Sequence, residues 1–385
     1  MTPLLRFALA AGLVLATAVA AARPLSPALA PQARAAIDPR VLEPWPDDAT
    51  LEEKRKEAET RRLFRSQEVL PFTLTADFGA VQRDRNPTSE RTFPGTIAWT
   101  GEDGAAKTAP VRVRTRGNSR RKPQVCSFAP LRIEFDKPQM KGTPFAGHNA
   151  LKVGTHCRES GEYEQYVLRE YTVYRAYNLL TPRSFRARLA KATYVDAKND
   201  RTVASRYAIL LEDDDDVAER QLGRVVTVKG IPFTGVDLES LTLSMLFEYM
   251  IGNTDMSVSA QHNIVLVQTR EGRRYVIPYD FDYSGLVDTT YSRPDKQLGI
   301  ATVRERLYRG PCRTPEDFEP FLVTFRTAKP QIFALYDALP DMSDGYRRNA
   351  KSYLDEFYRA IDRPRDVKRA FIDGCNGRIG SDHDS

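Results

Sequence analysis

Between Val69 and Asp213 the chain is written in short runs whose apolar residues alternate or are β-branched: "VLPFTLTADF", "GTIAWTG", "VRVRTRG", "LRIEFD", "ALKVGTH", "ARLAKATYVDA" and "SRYAILLED", parted by Gly, Pro and Asp. Alternation at period two buries one face of a strand and wets the other, so these runs predict an antiparallel sheet. One stretch breaks the texture. In "EYEQYVLREYTVYRAYNLL" the residues Tyr163, Val167, Tyr171, Tyr174 and Leu179 recur at helical spacing, and Pro182 follows as a stop. After the acidic run Glu212–Asp216, read as a solvated turn, the pattern becomes mainly helical. "DLESLTLSMLFEYMIG" reads as a buried helix, followed by the polar "NTDMSVSAQHN" and by two strands, "IVLVQT" and "RRYVIPYD", joined at Arg270–Arg273. Helix then dominates from Asp295 to Asp373. No segment repeats. A β-rich half followed by a helical half confines the chain to the α+β class.

The two ends are of another kind. "MTPLLRFALAAGLVLATAVAAARP" has one Arg, an apolar run from Phe7 to about Ala22 and small residues at its close, the pattern of a cleaved secretory signal, with cleavage near Ala20–Ala22 or near Ala33–Ala35. The expected organisation is a signal peptide over 1–22, an Ala/Pro-rich tether and charged helix over 23–66, a β-rich lobe over 67–215, a helical lobe over 216–378 and a tail over 379–385. In the charged helix, Thr50 and Glu53 have capping-box spacing. No later run has membrane-spanning length, so no stable insertion of the mature chain is expected, and the protein is read as exported, periplasmic or secreted.

Charge excludes one class of partner. The 57 Lys+Arg stand against 51 Asp+Glu and are scattered, apart from a cluster at "RVRTRGNSRRK", so nucleic acid is not implied. Cys126, Cys157, Cys312 and Cys375 form an even set for an oxidising compartment and allow three pairings. Cys126–Cys157 with Cys312–Cys375 is favoured because each pair falls within one half of the chain. No two cysteines have the close spacing of zinc ligands.

"YVIPYDFDYSGL" poses the functional question, since an apolar strand ends on Asp280 and Asp282. Such acids serve either a turn or a hard cation. Upstream, Asp255 lies in the polar loop after the buried helix, and Asn263 closes that loop. A hairpin then returns the chain to Asp280, so both ends of the segment can meet. An acid that orients a hydroxyl, with an amide and a carboxylate that hold a metal on phosphates, is what phosphoryl transfer requires.

The ordered series, with "TRGNS" at Thr115–Ser119, "GNTDMSVSAQHN" and "YVIPYDFD", resembles the protein-kinase-like fold and specifically the spore coat protein H family of atypical secretory kinases, over about Val69–Asp373. The resemblance implies a two-lobed fold that transfers phosphoryl, with Mg²⁺ or Mn²⁺, from ATP or another nucleotide to a protein or small-molecule hydroxyl. Asp255 resembles the catalytic aspartate, and Asn263 and Asp280 the metal ligands. Asp282 takes a supporting place on the metal side, pointing the same way as Asp280 if the strand persists. Lys152 in "LKV" and Glu170 on the long helix resemble the pair that clamps nucleotide phosphates; an exposed strand lysine and a surface helix acid are the competing readings. Arg116 joins them as a phosphate partner, with Arg120, Arg121 and Arg132 as further candidates. The chain departs from the pattern in two places. Asp255 to Asn263 spans eight residues where ordinary protein kinases use five, and "CSFAP" stands where related kinases place lysines before "LRIEF". Two other readings stand beside the kinase: a catalytically inactive kinase-like binding or envelope interaction protein, and a metal-dependent hydrolase suggested by His262 beside Asn263.

Overall fold

The computed structural model describes residues 38–339 and 341–375; the expected signal peptide, the first part of the expected tether and the expected tail lie outside them. Seven strands, β1 (Leu70–Ala76), β2 (Phe93–Thr100), β3 (Ala106–Thr115), β4 (Leu131–Phe135), β5 (Ala150–Gly154), β6 (Ala187–Asp196) and β7 (Arg201–Leu211), close into a barrel in the order β1-β2-β3-β4-β5-β7-β6. The expected alternation is borne out in β1, where Leu70, Phe72, Leu74 and Ala76 point inward, and inward residues such as Val113, Ile133 and Val153 complete a closed apolar core. The sheet is not wholly antiparallel. β1 runs parallel to β6, Leu70 opposite Ala190 through Ala76 opposite Asp196, and this one pair closes the barrel and leaves no exposed edge.

The helices are α1 (Pro39–Leu42), α2 (Asp48–Glu59), α3 (Phe78–Arg83), α4 (Gly161–Leu180), α5 (Asp214–Glu219), α6 (Leu238–Ile251), α7 (Pro315–Ala338), α8 (Asp344–Ile361) and α9 (Pro364–Val367). A second sheet, ordered β10-β9-β8, consists of β8 (Gly223–Val226), β9 (Ile264–Thr269) and β10 (Arg274–Pro278). Its first strand was invisible to sequence reading, because four residues are too few to show a period. α4 has one side on β6 and β7 and the other on α7, so it joins the barrel to a second apolar core built from α4, α6, α7, α8 and the small sheet. Among the described residues no helix is long and apolar enough to cross a membrane.

Three local expectations are corrected. The start of α2 is capped by Asp47, whose carboxylate accepts from the Thr50 amide at 2.7 Å, in place of a Thr50–Glu53 box. From Asp38 onward the supposed tether docks: the Asp38 carboxylate accepts from the Thr227 amide at 2.7 Å, and Arg224 stacks on Trp45 at 4.0 Å. The acidic run is no solvated turn. Glu212 is fully buried and paired with Arg220 at 2.8 Å, Asp213 caps α5, and Asp216 receives Arg61 at 2.7 Å and His148 at 3.1 Å. Its partners come from distant parts of the chain, where no local pattern reveals them.

Both favoured disulfides are present, Cys126–Cys157 and Cys312–Cys375, and they fit an oxidising compartment. The first pins the β3–β4 connection to the segment after β5.

Candidate functional site

The site begins where α6 stops. Gly252 caps the helix with φ 69°, a left-handed conformation that glycine adopts without a Cβ penalty, and turns the chain into the loop Asn253–Asn263. That loop folds back on itself: Ser257 and His262 form an antiparallel bridge, with amide-to-carbonyl bonds of 3.1 and 2.9 Å. Asp255 is thereby set beside His262 and Asn263. The Asn263 amide nitrogen donates to the Asp255 carbonyl at 2.7 Å and to its Oδ2 at 3.0 Å, while His262 Nε2 lies 3.2 Å from Oδ1. Both carboxylate oxygens are therefore held. The hydrogen bond and charge of Asp255 raise the His262 pKa above its ordinary value, against the opposing effect of burial.

β9 and β10 bring the other acids to the same place. Pro278 pairs with Ile264, and the next amide, that of Tyr279, donates to the Asn263 carbonyl at 3.0 Å. The strand then ends. Asp280 adopts φ 66° and its amide donates to the Tyr174 hydroxyl at 2.8 Å, while Phe281 is buried against Tyr174 and Phe247. Because the strand does not persist, Asp282 is not a period-two repeat of Asp280. Its side chain is 6% exposed against 27% for Asp280, and its Oδ2 accepts from the Tyr291 hydroxyl at 2.9 Å.

Between these acids sits Arg120, delivered by a 3-10 turn in the β3–β4 connection. Its buried guanidinium bonds to Asp280 and lies 3.5 Å from Asp282 and 3.8 Å from Glu170 of α4. The turn is held from behind, since Arg121 donates to the carbonyls of Asn86, Ser89 and Thr115. Burial pushes the Glu170 carboxyl up to about 8 and that of Asp282 up to about 6, with Arg120 opposing both shifts.

The expected Lys152–Glu170 pair is not formed. Lys152 stands opposite Leu211 on β7, which places its ammonium beside the acidic segment that follows that strand, and it pairs with Asp214 while resting on the rings of Phe185 and Tyr279 at 4.9 and 4.8 Å. Burial lowers its pKa. It is a buried lysine, not an exposed strand lysine. Arg116 lines a small cavity with Lys152, Glu170, Tyr279 and Asp280, and no carboxylate among the described residues pairs with it.

The fit of a divalent cation follows from these contacts. Asp280 and Asp282 share the Arg120 guanidinium, and the Asn263 nitrogen is committed to Asp255. Among the described residues no group of three or more His, Cys, Asp or Glu side chains is gathered for a metal ion. As arranged, the residues Asn263, Asp280 and Asp282 do not hold one.

Two further cavities flank the site. One of about 370 Å³ runs from Asp213–Asp215 to Val265 and shares the Tyr279 wall with the small cavity. The other, of about 570 Å³, opens in front of Asp255 and His262 and is walled by Met256, Arg293, Tyr308 and Arg309.

Sequence reading therefore placed Asp255, Asn263, Asp280, Asp282, Glu170 and Arg116 in one neighbourhood but missed the central role of Arg120, which it weighed only as one arginine among several. It also missed His262 as the partner of Asp255; the adjacency to Asn263 was the available signal. No known protein-family pattern matches the chain, and none of the curated proteins does.

Proposed function

We propose that this protein is an exported, kinase-like phosphotransferase of the spore coat protein H type. In this reading the barrel is one lobe, the helical part with the small sheet is the other, and Glu212–Asp216 is the crossover between them. The observation that carries it is the convergence at one end of the β9–β10 hairpin: an oriented carboxylate, Asp255, beside the cluster Asp280, Asp282, Glu170 and Arg120.

Asp255 takes the proton of the acceptor hydroxyl, which belongs to a protein or a small molecule. Asn263 holds that carboxylate in register, and His262, more basic than usual, supports its charge. Arg116, a cation with no carboxylate partner among the described residues, would receive phosphate oxygens, and Lys152 lines the same wall. ATP or another nucleotide is the proposed donor, with Mg²⁺ or Mn²⁺; Asp280 and Asp282 would be available to such a cation only if the Arg120 guanidinium left them. Thermal denaturation with and without nucleotide, each with Mg²⁺, Mn²⁺ or EDTA, tests the reading: a nucleotide-dependent rise in midpoint supports it, and none in any condition opposes it.

A second reading, a kinase-like binding protein without turnover, is favoured by one observation. Lys152 and the acid cluster are already neutralised within the chain, by Asp214 and Arg120. Nucleotide binding without transfer of labelled phosphate selects it.

A further inference from the structure

The peptide that carries Asp255 is held from a distant part of the chain. Arg309 Nη1 donates to the Thr254 carbonyl at 2.8 Å and to the Met256 carbonyl at 2.9 Å, the carbonyls of the residues on either side of Asp255. Among the described residues neither carbonyl accepts from a backbone amide. The Asp255 amide between them donates to Asn253 Oδ1 at 3.0 Å. Arg309 itself is firmly mounted. Its neighbour Tyr308 is buried, with its ring 5.2 Å from that of Phe371 and 5.9 Å from that of Phe318, and its hydroxyl donates to the Pro311 carbonyl at 3.3 Å. Gly310 packs so closely that a Cβ there would stand 2.7 Å from the Met245 Cβ of α6. Cys312, before α7, is then bonded to Cys375.

We infer that Arg309 is a positioning residue for Asp255: mounted on the segment 308–312 and its bond to Cys375, the guanidinium fixes the main chain on both sides of that aspartate and so sets where the carboxylate stands in the 570 Å³ cavity. Hydrogen bonds from a charged donor are stronger than neutral ones, and one nitrogen that bridges carbonyls two residues apart restrains the torsions between them. Asn263 and His262 contact the carboxylate, and Arg309 holds the main chain that bears it. Asp255 is thereby fixed at both levels. That the carboxylate so placed takes an acceptor proton rests on the phosphotransferase reading; the clamp on its main chain does not.

The test compares wild type with Arg309→Met. Amide hydrogen exchange is read first, without nucleotide. In the variant the amides of Asp255 and His262 should exchange at least about fivefold faster while those of β9 keep the wild-type rate. Unchanged exchange at Asp255 and His262, or a rise shared equally by β9, overturns the inference. Should Arg309→Met fail to fold, the double variant Cys312→Ser with Cys375→Ser, which unties the mount and keeps the guanidinium, is read by the same criteria. Transfer of label from γ-labelled nucleotide is read second. Labelling roughly ten- to a hundredfold slower in Arg309→Met, with nucleotide affinity unchanged, marks a displaced Asp255. Labelling at the wild-type rate overturns the positioning role even where exchange is faster. Wild-type protein that transfers no label, with the exchange result as expected, removes the phosphotransferase reading and leaves the clamp standing.

Discussion

Arg120 reaches three carboxylates that enter from two parts of the chain, Glu170 from α4 and Asp280 and Asp282 from the segment after β10, and the pair with Asp280 joins residues 160 positions apart. A buried carboxylate pair next to a third acid is costly without a counter-ion, and here the chain supplies its own. Replacing Arg120 by Gln leaves the acids uncompensated. The variant is expected to lose roughly 3–5 kcal/mol of stability in EDTA. Mn²⁺, drawn to the freed carboxylates, should restore much of that loss while moving the wild type little. Thermal denaturation of both proteins with and without Mn²⁺ checks this, and a variant indifferent to Mn²⁺ removes the idea that guanidinium and metal compete. A second titration belongs to Glu248, buried in α6, whose carboxyl is pushed by burial from 4.5 up to about 8. Its folded form keeps a proton that the unfolded chain releases above 4.5. This contribution is therefore complete below 4.5 and is lost as pH rises through about 8. Glu248→Gln should gain stability over wild type as pH rises across that window, on the order of a few kcal/mol at its upper end, as urea melts at several pH values would show. At this scale sequence is an uneven guide. Asp255, Asn263 and Asp280 were legible because one hairpin joins them. The partners of Arg120, Lys152 and Asp216 were not, because ion pairs between distant segments leave no local period.

At the scale of elements, the β9–β10 hairpin and the loop before it position the acids, and the β3–β4 connection positions the cations. That connection has little regular structure: the turn Ser119–Arg121, the carbonyl contacts of Arg121, and the Cys126–Cys157 bond just beyond. With a sequence separation of 31, that crosslink should contribute about 4 kcal/mol by restricting the unfolded chain. Replacing both cysteines by Ser should lower the denaturant midpoint accordingly and make the connection the first segment to exchange hydrogen. If it stays as protected as the barrel strands, the bond is not what holds Arg116 and Arg120 in place. The strands and long helices were readable because period and length identify them. β8 was too short to read, and the parallel β1–β6 pairing and barrel closure are matters of topology, which alternation alone does not encode.

For the whole molecule, the question is whether the neighbourhood of Asp255 and Asp280 performs chemistry or only binds. Two apolar cores meet through α4, which contributes Glu170 to the cluster and Tyr174 to the Asp280 amide, so the site rests on both halves of the chain. The proposed function separates roles: Asp280 would belong to the ground-state complex, whereas Asp255 would act on the acceptor proton. The most direct measurement is transfer of label from γ-labelled nucleotide to protein, with Mn²⁺ or Mg²⁺ present, run together with nucleotide binding on wild type and Asp255→Asn. Binding within about twofold of wild type and labelling at least about a hundredfold slower are expected of the variant, since a lost general base typically costs two to four orders of magnitude. Equal labelling by the two proteins, or wild-type protein that binds no nucleotide, would contradict the proposed roles.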